Sequence, residues 1–275
     1  MLSAPELLPA ARSLALEIEA LALPQACLGC ERELAANEET EACCSLCRHR
    51  MRRIAPPLCG RCGQPLDRWS AQWEMGTSTQ TRRRAVVASG QWAAVAARCE
   101  FCAPWPPELA WAASGVWLEQ GPARNLVFAL KYGGWRIAAR PMASLLTSAL
   151  GPRLRSLDAL VPVPLGRARQ RERSYNQAAA LADAIGRAAG LPVLPAALRR
   201  ERETRTQTRL APAGRWANTR GAFAASGEAL SGMHVALVDD VVTTGATLGA
   251  AAQALAALGP ATIGAVTFAR ALVPS

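Results

Sequence analysis

Two adjacent carboxylates, Asp239 and Asp240, follow the apolar run Val235-Ala236-Leu237-Val238 and precede Val241-Val242-Thr243-Thr244-Gly245-Ala246-Thr247. A continuous apolar run suits a strand covered on both faces, and parallel strands present ligands at their C-terminal ends. The threonine-rich turn then opens a helix. Backbone amides at a helix start, with the hydroxyls of Thr243, Thr244 and Thr247, are donors that can surround a phosphate group. Gly245 lets the backbone approach closely, and Ala246 belongs to the same loop. Asp239 and Asp240 are too close to that anion to be its ligands. They suit sugar hydroxyls or a bridging Mg2+. An ordinary threonine-capped helix after an acidic turn would need only one Asp and one Thr.

A second chemistry lies in the cysteines. All nine fall between Cys27 and Cys102, eight of them in C-x-x-C pairs. Tetrahedral Zn2+ takes four thiolates, and paired C-x-x-C turns supply them with little strain. The spacing groups Cys27, Cys30, Cys44 and Cys47 as one site and Cys59, Cys62, Cys99 and Cys102 as a second, with interleaving of the four turns left open. Cys43 is then the odd thiol. His49, two residues past Cys47, is either an alternative ligand or a surface histidine. A secreted disulfide scaffold would spread its cysteines along the chain, so reduced, metal-binding thiols in the cytoplasm fit better.

The elements that must position these groups are legible after residue 103. Arg124–Tyr132 and Trp135–Leu150 read as helices separated by Gly133 and Gly134. Leu157–Val163 reads as a strand ending in prolines, and Tyr175–Ala189 as a helix stopped by Gly190. His234–Val238 and Thr262–Phe268 read as strands around a helix from Ala246 to Leu258. Strands alternating with helices predict an α/β fold with a parallel, doubly wound sheet. Cys102–Pro107 reads as a linker, and Leu198–Arg220 as a long, partly mobile loop carrying seven arginines against two glutamates. The expected organisation is an N-terminal helical segment (1–26), a cysteine-rich zinc module (27–102) and the α/β domain (108–275). Trp105, Trp111 and Trp117 read as packing residues, and His234 as the opening of a strand.

With 51% hydrophobic residues in 275, the chain can bury a substantial core. No run reaches the ~20 apolar residues of a membrane helix, so membrane insertion is not expected. Glu6, Arg12, Glu17 and Glu19 interrupt the leucine-rich N-terminus, which argues against a signal peptide. The net charge of +10 favours polyanionic partners, phosphorylated ligands or nucleic acid. Thirty of the 31 basic residues are arginine, which makes Lys131 conspicuous.

The order strand, acidic pair, Thr-Thr-Gly-x-Thr resembles the ribose-phosphate loop of type I phosphoribosyltransferases. Upstream, Leu160-Val161-Pro162-Val163-Pro164-Leu165 is followed by Arg167, Arg169, Arg171 and Arg173, then Ser174-Tyr175-Asn176-Gln177. Thr204, Gln207, Arg215, Asn218, Arg220 and Phe223 come later. This ordered set, with the C-x-x-C pairs, resembles the ComF family of bacterial competence proteins, which includes the GntX-like members. That family has V-P-V-P, R-x-R-G-F-N-Q, T-x-x-Q and R-x-x-N in this order, with Ser174-Tyr175 here in place of Gly-Phe.

The resemblance implies a type I phosphoribosyltransferase-like sheet that binds phosphoribosyl pyrophosphate with Mg2+, beside a Zn2+ module. Asp239 and Asp240 would hold the ribose 2′ and 3′ hydroxyls, and Thr243 to Thr247 the 5′-phosphate. Arg167, in the turn after Pro164, is placed to meet pyrophosphate, because arginine forks suit phosphate oxygens. Lys131 matches a family position and either points at the ligand or snorkels off a helix. The other arginines read equally as a solvated flank or a nucleic-acid patch. Two functions follow. One is phosphoribosyl transfer to an unknown acceptor. The other is a non-catalytic role in DNA uptake, with contacts to single-stranded DNA or a competence helicase. A structural module with a relic ligand site is the third reading, against which the intact acidic pair and threonine loop argue.

Overall fold

The computed structural model describes residues 26–35, 42–66, 99–202 and 212–271, with the side chains of 167, 168 and 212–215 outside that description. Residues 1–25 of the expected N-terminal helical segment and residues 67–98 of the expected zinc module therefore lie outside the described residues. A short helix, α1 (Ser45–Arg50), belongs to the cysteine region. The rest runs β1 (Leu109–Leu118), α2 (Pro122–Lys131), α3 (Ala139–Leu154), β2 (Ala159–Pro162), α4 (Arg167–Arg173) and α5 (Gln177–Ala189). It continues through β3 (Leu198–Arg200), α6 (Pro212–Thr219), β4 (Phe223–Ala225), β5 (His234–Val242), α7 (Ala246–Leu255) and β6 (Thr262–Ala271).

Strands β1, β6, β5 and β2 form, in that order, a sheet whose neighbours all pair in parallel. Period-2 alternation sorts its side chains. Val116, Phe268, Val238 and Leu160 pack on one face with α2, α3 and α5, while Leu109, Ala265, Leu237 and Val161 pack on the other with α7. Each fully buried Leu or Phe contributes about 1.5–3 kcal/mol, so the two layers together hold the sheet.

The cysteine region belongs to both layers. Cys27, Cys44 and Cys47 lie in the α2/α3/α5 layer, and Cys59, Cys62 and Cys102 in the α7 layer. Between them the chain lies along the β1 edge. Arg53 pairs antiparallel with Val116, and Ala112 N–H donates to Arg61 O at 2.7 Å. At the other edge, Leu160 N–H donates to Pro192 O (2.9 Å) and Leu194 N–H to Leu160 O (2.8 Å). Both edges are thus covered, which keeps their polar groups from templating aggregation.

Three sequence expectations change. Strand β1 is added, hidden in the Trp/Ala/Gly-rich run Leu109–Leu118. The Cys102–Pro107 linker is a packed segment around Trp105, which is 2% exposed. The arginine-rich stretch is not one loop: β3 pairs antiparallel with β4, and α6 lies between them. Thr204 and Gln207 lie outside the described residues.

Candidate functional site

At the C-terminal ends of β1, β2 and β5 a cavity of about 950 Å³ opens. Its walls come from α2 (Arg124, Phe128, Lys131), the end of β2 (Val163, Pro164), α4 (Arg169, Arg173) and the turn from β5 into α7. Asp239, Asp240, Thr243, Gly245, Ala246 and Thr247 all line it.

The alternation of β5 sends its two carboxylates to opposite faces. Asp240 follows Ala236 and Val238 toward α2, where the Lys131 ammonium lies 2.9 Å from its Oδ2. Asp239 is half-buried on the α7 side, and its Oδ1 accepts from Asp240 N–H at 2.9 Å. Burial, and then the neighbouring Asp240 carboxylate, push Asp239 up to about 7, with Lys131 acting in the opposite direction.

Thr243 to Thr247 divide by direction. Thr244 is buried, and its hydroxyl accepts from Ala246 N–H at 3.4 Å. It is not among the residues lining the cavity, and the threonines that do line it are Thr243 and Thr247. Gly245, the cap of α7, has φ +82°. A Cβ there would also fall 2.5 Å from ring atoms of Trp105, so both backbone and packing require glycine.

Arg167 opens α4, and its side chain lies outside the described residues. The following motif is a clamp. Asn176 caps α5 by accepting from Ala178 N–H (3.0 Å) and donates to Val163 O (3.0 Å), which pins the end of β2. Gln177 is buried and accepts from Arg173 at 3.3 Å, which holds that guanidinium at the cavity. Tyr175 O–H donates to Leu130 O, next to Lys131.

Sequence reasoning did not single out a ladder on the cavity wall. The Arg124 guanidinium lies 5.2 Å from the Phe128 ring centroid, Phe128 lies 5.3 Å from Tyr132, and the Arg173 guanidinium lies 4.9 Å from Tyr132. Phe128 and Tyr132 are 48% and 61% exposed, so the ladder is open to solvent at the cavity. The four-residue spacing of Arg124, Phe128 and Tyr132 was the available signal. Arg200, from the arginine-rich stretch, also reaches the cavity.

The cysteines separate into the two expected groups. In each, the four Sγ atoms lie within 4.8 Å of one another. Cys30–Cys44, Cys59–Cys102 and Cys99–Cys102 are 3.9, 3.8 and 3.7 Å apart, close to the ~3.8 Å edge of a tetrahedron with Zn–S bonds of about 2.3 Å. Amides of Gly29 and Cys44 donate to Cys27 Sγ at 3.3 and 3.2 Å, as suits a thiolate. Both groups fit Zn2+. Cys43 is buried beside the first group, and burial raises its thiol well above the ordinary range. The exposed His49 bonds Ser45 O at 2.9 Å, and the described metal-ligand groups do not include it.

Comparison with known proteins agrees with both parts. Residues 18–78 match the double zinc ribbon domain, a span that stops short of Cys99 and Cys102, and residues 172–273 match the phosphoribosyl transferase domain. Competence protein F of Haemophilus influenzae is 40% identical over 104 residues, 37% of this chain and 45% of that protein. Competence protein ComFC of Bacillus subtilis is 33% identical over 102 residues, 37% of this chain and 40% of that protein. DNA utilization protein YhgH of Salmonella typhimurium is 33% identical over 147 residues, 52% of this chain and 64% of that protein. The matches thus span about two fifths to two thirds of these relatives. Among the described residues no helix is long and apolar enough to cross a membrane.

Proposed function

Because the chain belongs to the ComF family, we propose that its cavity binds phosphoribosyl pyrophosphate and that this ligand governs what the protein does. The carrying observation is the convergence, on one cavity, of an acidic pair, a helix start with two threonines that line it, and arginines from α2, α4 and β3. The loop amides and the Thr243 and Thr247 hydroxyls take the 5′-phosphate. Asp239 and Asp240 take the ribose hydroxyls, and their hard oxygens also suit Mg2+. Bound Mg2+ would supply charge neutralisation at the diphosphate. Arg167 and Lys131 complete the proposed binding set, with Arg169 and Arg173 at hand for anionic oxygens.

If transfer occurs, the bond from ribose C1 to pyrophosphate oxygen breaks with its electron pair leaving on pyrophosphate. An acceptor lone pair then forms the new bond to C1. The donors around the cavity act by stabilising charge that develops on the leaving group.

A second reading has its own observation. The exposed Arg124–Phe128–Tyr132–Arg173 ladder interleaves rings with guanidinium groups, the composition of a surface on which bases of single-stranded DNA stack. It supports a non-catalytic DNA-handling role in the cytoplasm, with a competence helicase as a candidate partner.

Calorimetric titration of phosphoribosyl pyrophosphate with Mg2+ into the zinc-replete protein tests the first reading. Saturable binding that disappears in Asp239→Asn/Asp240→Asn is expected. Absence of binding by the unaltered protein removes it and leaves the DNA-handling role.

A further inference from the structure

We propose that Trp105 mechanically couples the second cysteine cluster to the Thr243–Thr247 loop, so that metal in the cluster and an anion in the loop each strengthen the other's binding. The inference rests on the phosphate-binding reading of that loop.

The link is short, and its joint at the loop is buried. Trp105 lies three residues beyond Cys102, and its backbone N–H donates to Cys102 O at 3.1 Å. Its indole N–H donates to Thr244 O at 2.9 Å, across 139 residues of sequence. The ring occupies the space beside Gly245, where any Cβ would fall 2.5 Å from it. The loop that lines the cavity is therefore built on the edge of one indole.

On its other side the indole is set by the cluster. Arg61, inside the Cys59–Cys62 turn, lies 5.9 Å from the Trp105 ring centroid. It donates to Cys102 O (2.9 Å), Pro106 O (2.8 Å) and Leu109 O (3.1 Å), carbonyls on both sides of Trp105. Phe101, also next to Cys102, meets the indole edge-on at 5.9 Å. Holding the four thiols together fixes the Cys59–Cys62 and Cys99–Cys102 turns relative to one another, and Arg61 and Trp105 move with them. Trp105 is thus a positioning residue for the loop. Such coupling is reciprocal by thermodynamic necessity.

The experiment measures zinc release from the full chain to a metallochromic chelator, with and without saturating ribose 5-phosphate. In the unaltered protein the ligand should slow release of one zinc equivalent about fivefold or more. Trp105→Phe should retain both metals and still bind ribose 5-phosphate, yet lose that protection. Arg61→Gln, which cuts the link at the cluster end, should do the same and serves if Trp105→Phe does not fold. Equal protection in these variants, or none in an unaltered protein that binds the ligand, overturns the coupling. If calorimetry finds no ribose 5-phosphate binding at all, the phosphate reading of the loop fails separately. Hydrogen exchange at the 244–247 amides then decides the mechanical link. Exchange must quicken on zinc removal, and unchanged exchange overturns it.

Discussion

The Lys131 ammonium, on the last residue of α2, stands 2.9 Å from Asp240 Oδ2 in β5. It ties the helix to the sheet at the cavity wall and opposes the charge of two adjacent carboxylates. The Asp240 side chain is 7% exposed, so removing its partner leaves a charge with little access to water. Lys131→Met is expected to cost about 2–3 kcal/mol, less than a fully buried pair because water still reaches the lysine. Urea denaturation at pH 8 measures this. Adding Asp240→Asn should recover most of the loss, and additive costs in the double variant would show that the pair is not coupled.

Asp239 gives the stability of the ligand-free protein a pH dependence. Its native carboxyl is raised from 3.8 to about 7, so the folded state holds the proton more tightly than the unfolded state. The contribution is fully present below the unfolded value and is lost as pH rises through about 7. Asp239→Asn cannot ionise and escapes that loss. Its melting temperature should match the unaltered protein's at the acid end and exceed it by several degrees at pH 8. A difference independent of pH would refute the assignment.

Why some of this was legible and some not follows from distance along the chain. The acidic pair, the threonine turn and the start of α7 are contiguous, and so is each C-x-x-C turn, so residue type and spacing expose them directly. Strand β1 was hidden because its inner face is built from small residues. A Cβ on Gly115 would lie 3.0 Å from Leu145 and Leu146, so close packing replaces the usual β-branched pattern. The β3–β4 pairing joins Leu198 to Ala225 across α6, and no local pattern announces it. Likewise the wedge role of Trp105 depends on a glycine far downstream. Thr244 read as a third phosphate donor because sequence cannot say which way a hydroxyl on a turn points.

Ser174 ends α4 with φ +62°, in the left-handed region, at the position where the ComF pattern has glycine. A residue with a Cβ held there costs on the order of 1 kcal/mol. Ser174→Gly should therefore stabilise the protein slightly and raise its melting temperature by about 2–4 °C for a chain of this size. Binding of phosphoribosyl pyrophosphate should be unchanged, because the substitution leaves the Asn176 clamp intact. A lowered melting temperature would mean that the Ser174 side chain makes a contact worth more than the strain.

Arg270 is 0% exposed at the end of β6, a costly place for a cation. Its guanidinium donates to Cys62 O and to Gln64 Oε1 (3.3 Å) and lies 4.8 Å from the Phe101 ring centroid. Burial lowers its pKa, and the charge of Cys62, Cys99, Cys59 and Cys102 acts in the opposite direction. Four thiolates around one Zn2+ carry a net charge of about −2, so the buried cation and the second cluster offset each other's desolvation. Arg270→Met keeps much of the volume and removes the charge. It should speed zinc loss from the second cluster about 10- to 100-fold, the usual effect of losing an outer-shell partner, while the first cluster holds its metal. Arg270→Lys should recover part of the retention through its charge alone. Chelator competition following both zinc equivalents gives the answer. If Met and Lys variants release zinc equally fast, the guanidinium acts through its hydrogen bonds to Cys62 and Gln64 rather than through charge.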